Sequence, residues 1–270
     1  SKFDQMENKK IAIIGVGNMG GAIASGLLKS GSVEASNIAV SDRKEATLKK
    51  MSGLGINVFT NNVEAAKNAD VIIVAVKPYH IEGVIKELKP LLSADKIFIS
   101  IVAGVGIEEL GNMAGKNIPI FRVMPNTAIA LQESLTCISA NGHTEPHREY
   151  VVELFNKLGK TIEIPEELMA AATVLSSCGI AYALRYIRAA MQGGIEIGFS
   201  AEMAQLITAQ TVKGATELLL QSGNHPEREI DKVTTPMGVT ITGLNEMEHR
   251  GFSSSLIQGV MASYKKIKDN

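Results

Sequence analysis

Through the first 164 residues, short apolar runs alternate with segments of helical spacing. β-Branched runs recur at Ile11–Ile14, Ile38–Val40, Asn57–Phe59, Val71–Val76, Ile97–Val102 and Ile118–Val123. Between them, Met19–Lys29, Lys44–Leu54, Val63–Asn68 and Ile81–Leu91 repeat apolar residues at intervals of three and four. Strands apolar on both faces and separated by helices predict a parallel sheet covered on both sides. Right-handed crossovers make such a sheet doubly wound. Thr136–Ser139 and Thr161–Ile164 flank a helical pattern around His147–Leu158 and are expected to extend the sheet at one edge.

After Pro165 the strand signal fades, and Glu166–Gly193, Ala201–Gln221, Pro226–Val233, Gly243–Arg250 and Ser254–Lys268 read as helices. Gly223 and Gly251 fit C-terminal glycines, and Ser200 fits an N-cap with Glu202 in the first turn. Leu168–Ala190 is apolar on nearly all sides, so it must be buried in a core or against another subunit. Five helices of about 100 residues in total make a modest core, which favours an obligate dimer over a self-sufficient bundle.

Composition then narrows the class. The chain has 270 residues, 45% hydrophobic and 20% charged, as a globular protein requires. A net charge of −1 argues against nucleic acid or an anionic membrane as partner. Cys137 and Cys178 share no close spacing with each other or with a histidine, so no metal site is expected and two reduced thiols are. Runs such as Val71–Val76 and Ile97–Val105 are strand-sized, short of the roughly 20 residues of a spanning helix. Ser1–Asn8 reads as a loose polar tail with no signal-peptide core, and cytoplasmic residence is the expectation.

Ile11–Ile14 runs directly into Gly15-Val16-Gly17-Asn18-Met19-Gly20 and then into an apolar-periodic helix. That context turns a weak GxGxxG pattern into a dinucleotide loop. Gly15 makes the turn, Gly17 lets a pyrophosphate approach the backbone, and Gly20 lets helix pack on strand. The fold class is therefore α/β. A doubly wound Rossmann-type domain is expected over 9–164, followed by an all-α dimerisation domain over 165–270.

The second strand ends in Ser41-Asp42-Arg43-Lys44. An acidic residue here takes the ribose hydroxyls of NAD, whereas Arg43 and Lys44 suit a 2′-phosphate. The reading is NADPH, held by Ser41, Arg43 and Lys44 with Asp42 turned aside; NADH is the alternative. Later strand ends point to the same crevice: Ala75-Val76-Lys77-Pro78, Val102-Ala103-Gly104 and Met124-Pro125-Asn126. Lys77, followed at once by Pro78, reads as positioning rather than catalytic.

In the helical half, Thr235-Pro236-Met237-Gly238-Val239-Thr240 is a hydroxyl-rich loop leading into a helix start. Free N–H donors there could take a small carboxylate, and an ordinary cap by Thr240 or Thr242 is the competing reading.

Together with Val76-Lys77-Pro78, Arg122–Thr127 and Gln210–Ala215, these motifs make residues 9–268 resemble the pyrroline-5-carboxylate reductase family. The resemblance implies reduction of 1-pyrroline-5-carboxylate to L-proline. It implies a homodimer, with decamers built as pentamers of dimers, and a cleft between one chain's cofactor domain and its partner's helices. It assigns Thr240 and Thr235 to catalysis, and Glu166, Gly238, Val239 and Thr240 to substrate. It aligns Asn62, Lys77 and Ala103 with cofactor contacts. Departures stand at Ser177-Cys178-Gly179-Ile180, where Ile180 removes a proline kink, and at Met237 and Val239, where small residues are usual. A β-hydroxyacid dehydrogenase would place a lysine on the first long helix of the second domain, and Leu168–Met191 has none. A non-catalytic NADPH-binding regulator is the third reading.

Overall fold

The computed structural model describes residues 8–115 and 117–269. The tail expected at Ser1–Asn8 lies, apart from Asn8, outside the described residues. The chain divides into two compact units, Ser1–Ser177 and Cys178–Asn270.

The first unit carries one eight-stranded sheet in the order β3-β2-β1-β4-β5-β6-β7-β8. The strands are β1 (Ile11–Ile14), β2 (Ile38–Ser41), β3 (Asn57–Phe59), β4 (Val71–Val74), β5 (Ile97–Ser100), β6 (Ile120–Met124), β7 (Ser134–Ala140) and β8 (Gly159–Glu163). All neighbours are parallel except β6 and β7. The two late strands extend the edge, as the pattern predicted.

The central strands β1, β4 and β5 are fully buried because alternate residues feed two cores. Ile11 and Ile13 pack with α1 (Asn18–Lys29), α2 (Glu45–Ser52) and α6 (Glu145–Asn156). Ala12 and Ile14 pack with α3 (Asn62–Ala66), α4 (Ile81–Leu88) and α5 (Ile107–Ala114). This is the doubly wound α/β fold.

Two details depart from the pattern. Strands β4 and β5 end at Val74 and Ser100, two residues before the apolar runs do. The remaining residues diverge from the sheet, as strand ends must to open a crevice. Helix α5 was not legible: Ile107-Glu108-Glu109-Leu110-Gly111 mixes charge with a helix-weakening glycine. Burial of Leu110 and Ala114 holds it in place.

The expected helix Glu166–Gly193 is instead a composite. A 3₁₀ turn Glu166–Leu168 leads into α7 (Met169–Thr173), a π-helical turn Val174–Cys178, and α8 (Gly179–Glu196). The irregularity attributed to a proline is thus supplied without one, by the wide turn just before Gly179. Unlike the strand-sized runs Val71–Val76 and Ile97–Val105, the run Glu166–Glu196 is long and apolar enough to span a membrane, by length and composition alone.

The second unit continues with α9 (Ala201–Ser222), α10 (Pro226–Lys232), α11 (Val239–His249) and α12 (Phe252–Lys268). Ser200 caps α9 by accepting the Met203 N–H, and Gly223 ends it at φ 68°. Among α8 to α12 only Ala204 is buried. Leu184, Leu206, Leu218, Leu256 and Ile257 are exposed.

Candidate active site

A cleft of about 1460 Å³ opens at the carboxyl ends of β1, β2 and β4 and is walled by the residues that follow β5. Gly15, at φ 89°, makes the turn out of β1, and a side chain there would meet the Ala75 carbonyl oxygen at 2.8 Å. A Cβ on Gly20 would lie 2.0 Å from the Gly15 carbonyl oxygen and 3.3 Å from the Ala75 side chain. Gly20 is therefore a packing glycine, buried and off the cleft. Gly17 is the opposite case, because a Cβ there would meet nothing within 4 Å. It caps α1 with no side-chain bond, and the first turn of α1 holds no acid. A helix start left open in this way is the cradle a pyrophosphate needs, and the residues present fit a dinucleotide.

Asn18 and Met19 line the same wall. Asp42 binds backbone with both oxygens: Oδ2 accepts the Val16 N–H and Oδ1 accepts the Lys44 N–H, each at 2.9 Å. Arg43 and Lys44 line the cleft with exposed side chains. Ser41 also borders the cleft, but it is fully buried and its hydroxyl donates to Asn62 Oδ1 at 2.7 Å. Asn62 in turn donates to Glu87 at 3.1 Å. On the other side Ala75, Val76, Lys77, Pro78 and Ala103 all face the cleft.

Two expected site residues have other work. Asn126 is buried and off the cleft. Its Oδ1 accepts the Ala128 N–H at 3.1 Å, capping the 3₁₀ helix Thr127–Leu131, and its Nδ2 donates to the Ser176 carbonyl at 3.4 Å. An asparagine at a strand end caps more readily than it binds, and here the cap wins. Glu166 also lies off that cleft: Oε1 accepts the Ile107 N–H at 2.7 Å and the Arg122 guanidinium at 3.0 Å. It stabilises the start of α5, a helix other than its own.

In the second unit, Thr235-Pro236-Met237-Gly238 forms a turn closed by the Gly238 N–H on the Thr235 carbonyl at 2.9 Å. Met237 holds φ 62°, a conformation that favours glycine, and is fully exposed. Gly238 caps α11 without a side-chain bond, and Thr242 donates to its carbonyl at 3.1 Å. The Gly238 N–H is therefore committed to the turn, which corrects its expected role as a free donor. A Cβ there would meet Thr235 Oγ1 at 2.5 Å, so glycine is required by the fold. Val239 and Thr240, exposed in the first turn of α11, keep N–H groups that the helix itself cannot satisfy.

A family model described as pyrroline-5-carboxylate reductase dimerisation matches residues 166–270, and one described as NADP oxidoreductase coenzyme F420-dependent matches 10–104. Pyrroline-5-carboxylate reductase 2 of Dictyostelium discoideum is 41% identical, covering 97% of this chain and 93% of its own length. The chain belongs to the pyrroline-5-carboxylate reductase family. Pyrroline-5-carboxylate reductase 1 of the same organism is 42% identical over 95% of this chain, which spans 49% of that longer relative. A crystal structure of Plasmodium falciparum pyrroline carboxylate reductase with NADP bound is 31% identical, with a TM-score of 0.86 and 98% of each chain covered. The helical second half thus belongs to the dimerisation domain of pyrroline-5-carboxylate reductases, and the first half to an NADP-linked oxidoreductase fold.

Several cleft residues were not legible in the sequence. Lys50, Thr60, Tyr79 and Glu87 line it from segments with no motif of their own. Lys50 sits one helical turn past Ala46 and Thr47 on α2, a spacing that could have marked it.

Proposed function

We propose that this chain reduces 1-pyrroline-5-carboxylate to L-proline with NADPH, residues 9–164 holding the cofactor and 165–270 the substrate site and dimer contact. The observation that carries the reading is the glycine cradle at Gly17, set in a chain whose helical half matches the dimerisation model of this reductase family. Bound dihydronicotinamide supplies the hydride. The chain's own residues bind and align. Asn18 and Met19 present the open start of α1 to the pyrophosphate, while Ala75, Val76, Lys77, Pro78 and Ala103 wall the other half.

The substrate is a cyclic imine that is electrophilic once protonated, so it needs alignment more than a strong acid. The Val239 and Thr240 N–H groups take its carboxylate, and the Thr240 hydroxyl meets the ring nitrogen. A neutral hydroxyl does not repel an iminium. When the imine carbon gains the hydride, the C=N π pair becomes the nitrogen lone pair, and the nitrogen keeps the proton it brought. Thr235 shapes the turn through its carbonyl.

The test is NADPH oxidation on addition of pyrroline-5-carboxylate. Thr240→Ala lowers kcat by roughly 10- to 100-fold with the fold intact, as expected for one positioned hydrogen bond. Unchanged kinetics would remove Thr240 from the site.

For the cofactor, the Asp42 carboxylate is held by backbone while Arg43 and Lys44 stay exposed at the adenosine end, which supports NADPH over NADH. Ser41 acts by orienting Asn62. Arg43→Ala and Lys44→Ala should raise KM for NADPH several-fold and leave KM for NADH in place. A decamer built from five dimers and residence in the cytoplasm complete the reading; two free cysteines suit a reducing compartment.

A further inference from the structure

We infer that Glu166 is a positioning residue for hydride transfer, which it serves by fixing the loop Ala103–Gly106 through its bonds to Ile107 and Arg122; this rests on the function proposed above. In this sheet order the acidic end of β2 marks the adenosine half of the cleft, so the residues after β4 and β5 wall the nicotinamide half. Ala103, in the loop after β5, is part of that wall.

The loop is poorly held by its own sequence. Gly104 sits at φ 75° and Gly106, the N-cap of α5, offers no side chain. Glu108 and Glu109 face the dipole from the first turn. The carboxylate that accepts the first helical N–H comes instead from 59 residues away.

Glu166 Oε1 takes Ile107 N–H at 2.7 Å and Arg122 Nη1 at 3.0 Å, tying the end of the loop to β6. The side chains of Arg122 and Glu166 are only 20% and 31% exposed, so the pair is shielded enough to hold one geometry. Gly106 fits the same purpose, since a Cβ there would stand 3.2 Å from Glu166 Oε1. Glu166 is also the first residue of the helical run that continues to Glu196. One carboxylate therefore joins the nicotinamide-side loop, the sheet, and the origin of the segment leading to the helical unit.

The experiment compares wild type, Glu166→Ala, Glu166→Gln and Arg122→Met as full chains. Glu166→Ala should lower kcat roughly tenfold, with KM for NADPH within about twofold, because the adenosine and pyrophosphate contacts are untouched. The kinetic isotope effect from NADPH deuterated at the transferred position should rise as hydride transfer becomes limiting. Glu166→Gln keeps an acceptor for Ile107 and should recover most of the loss. Arg122→Met, which keeps the Ile107 bond, should show the defect in milder form and gives a second variant should Glu166→Ala fail to fold.

Independently of turnover, amide hydrogen exchange over residues 102–110 should quicken in Glu166→Ala and not in Glu166→Gln. A lowered Tm with kcat and isotope effect unchanged overturns the inference, as does a rise confined to KM for the imine, which would place Glu166 on the substrate. Wild-type inactivity on pyrroline-5-carboxylate overturns the functional reading itself. Unchanged exchange at 102–110 in Glu166→Ala overturns the positioning role whatever the turnover.

Discussion

Gly17 and Gly20 lie three residues apart in one motif yet answer different demands. A methyl group on Gly20 would collide with the Gly15 carbonyl at 2.0 Å, whereas on Gly17 it would meet open space. Gly20→Ala should therefore lower stability by more than about 2 kcal/mol, because backbone must move to admit it. Gly17→Ala should keep the Tm while NADPH affinity falls, since only the ligand side is crowded. Thermal unfolding and fluorescence titration of NADPH separate the two outcomes. The motif already separates the two, assigning Gly20 to packing and Gly17 to a ligand, and the neighbours of each Cβ agree with packing at Gly20 and open space at Gly17. At Asn126 and Glu166 the neighbours changed the reading. Both were legible as polar residues near a strand end or helix start, but their partners lie at Ser176, Ile107 and Arg122. No local pattern encodes bonds across 44 to 59 residues.

Among elements, α6 shows how amphipathic spacing leaves one polar group behind. The helix buries Val151, Leu154 and Phe155 against the sheet. Tyr150, beside them, has a buried hydroxyl with no hydrogen-bond partner among the described residues, and Lys9 lies 5.4 Å from its ring centre. Burial, and then the charge of Asp70, push the phenol above its ordinary range. Between the ordinary value near ~10 and the raised native one, the unfolded chain has released a proton that the native chain keeps. Stability should accordingly fall as pH rises above about 10. Tyr150→Phe should flatten that decline and hold or raise stability at neutral pH, by up to about 1 kcal/mol. Urea unfolding at the two pH values measures both effects. The long strands and helices were legible because their periodicity is strong. Helix α5 was not, because its stability comes from Leu110 and Ala114 in the core and from a cap outside its own segment.

For the whole molecule, the contrast between the two units sets the behaviour. The first has two buried cores, one on each face of its sheet. In the second, long helices expose leucines and isoleucines, and residues 166–270 match a dimerisation domain. Apolar surface on that scale is stable in water only when covered. Tm should consequently rise with protein concentration, since association stabilises the folded state by mass action. Calorimetry across a dilution series, beside sedimentation of the same samples, tests this, and a concentration-independent Tm would favour the self-sufficient bundle.

By itself the sequence determined the succession of strands and of every helix but α5, the doubly wound sheet and the dinucleotide loop. These depend on residue spacing within a few turns of chain, where side-chain periodicity and glycine sterics act directly. Tertiary structure alone decided which polar residues face the cleft and which serve the fold. Asp42 became a backbone clamp, Ser41 a buried donor to Asn62, Asn126 a cap and Glu166 a tie between loop and sheet. The bonds from Asp42 to Lys44 and from Asn126 to Ala128 are local, but those to Val16, Asn62, Ser176 and Ile107 join residues 21 to 59 positions apart, neighbours chosen by packing that no local pattern records.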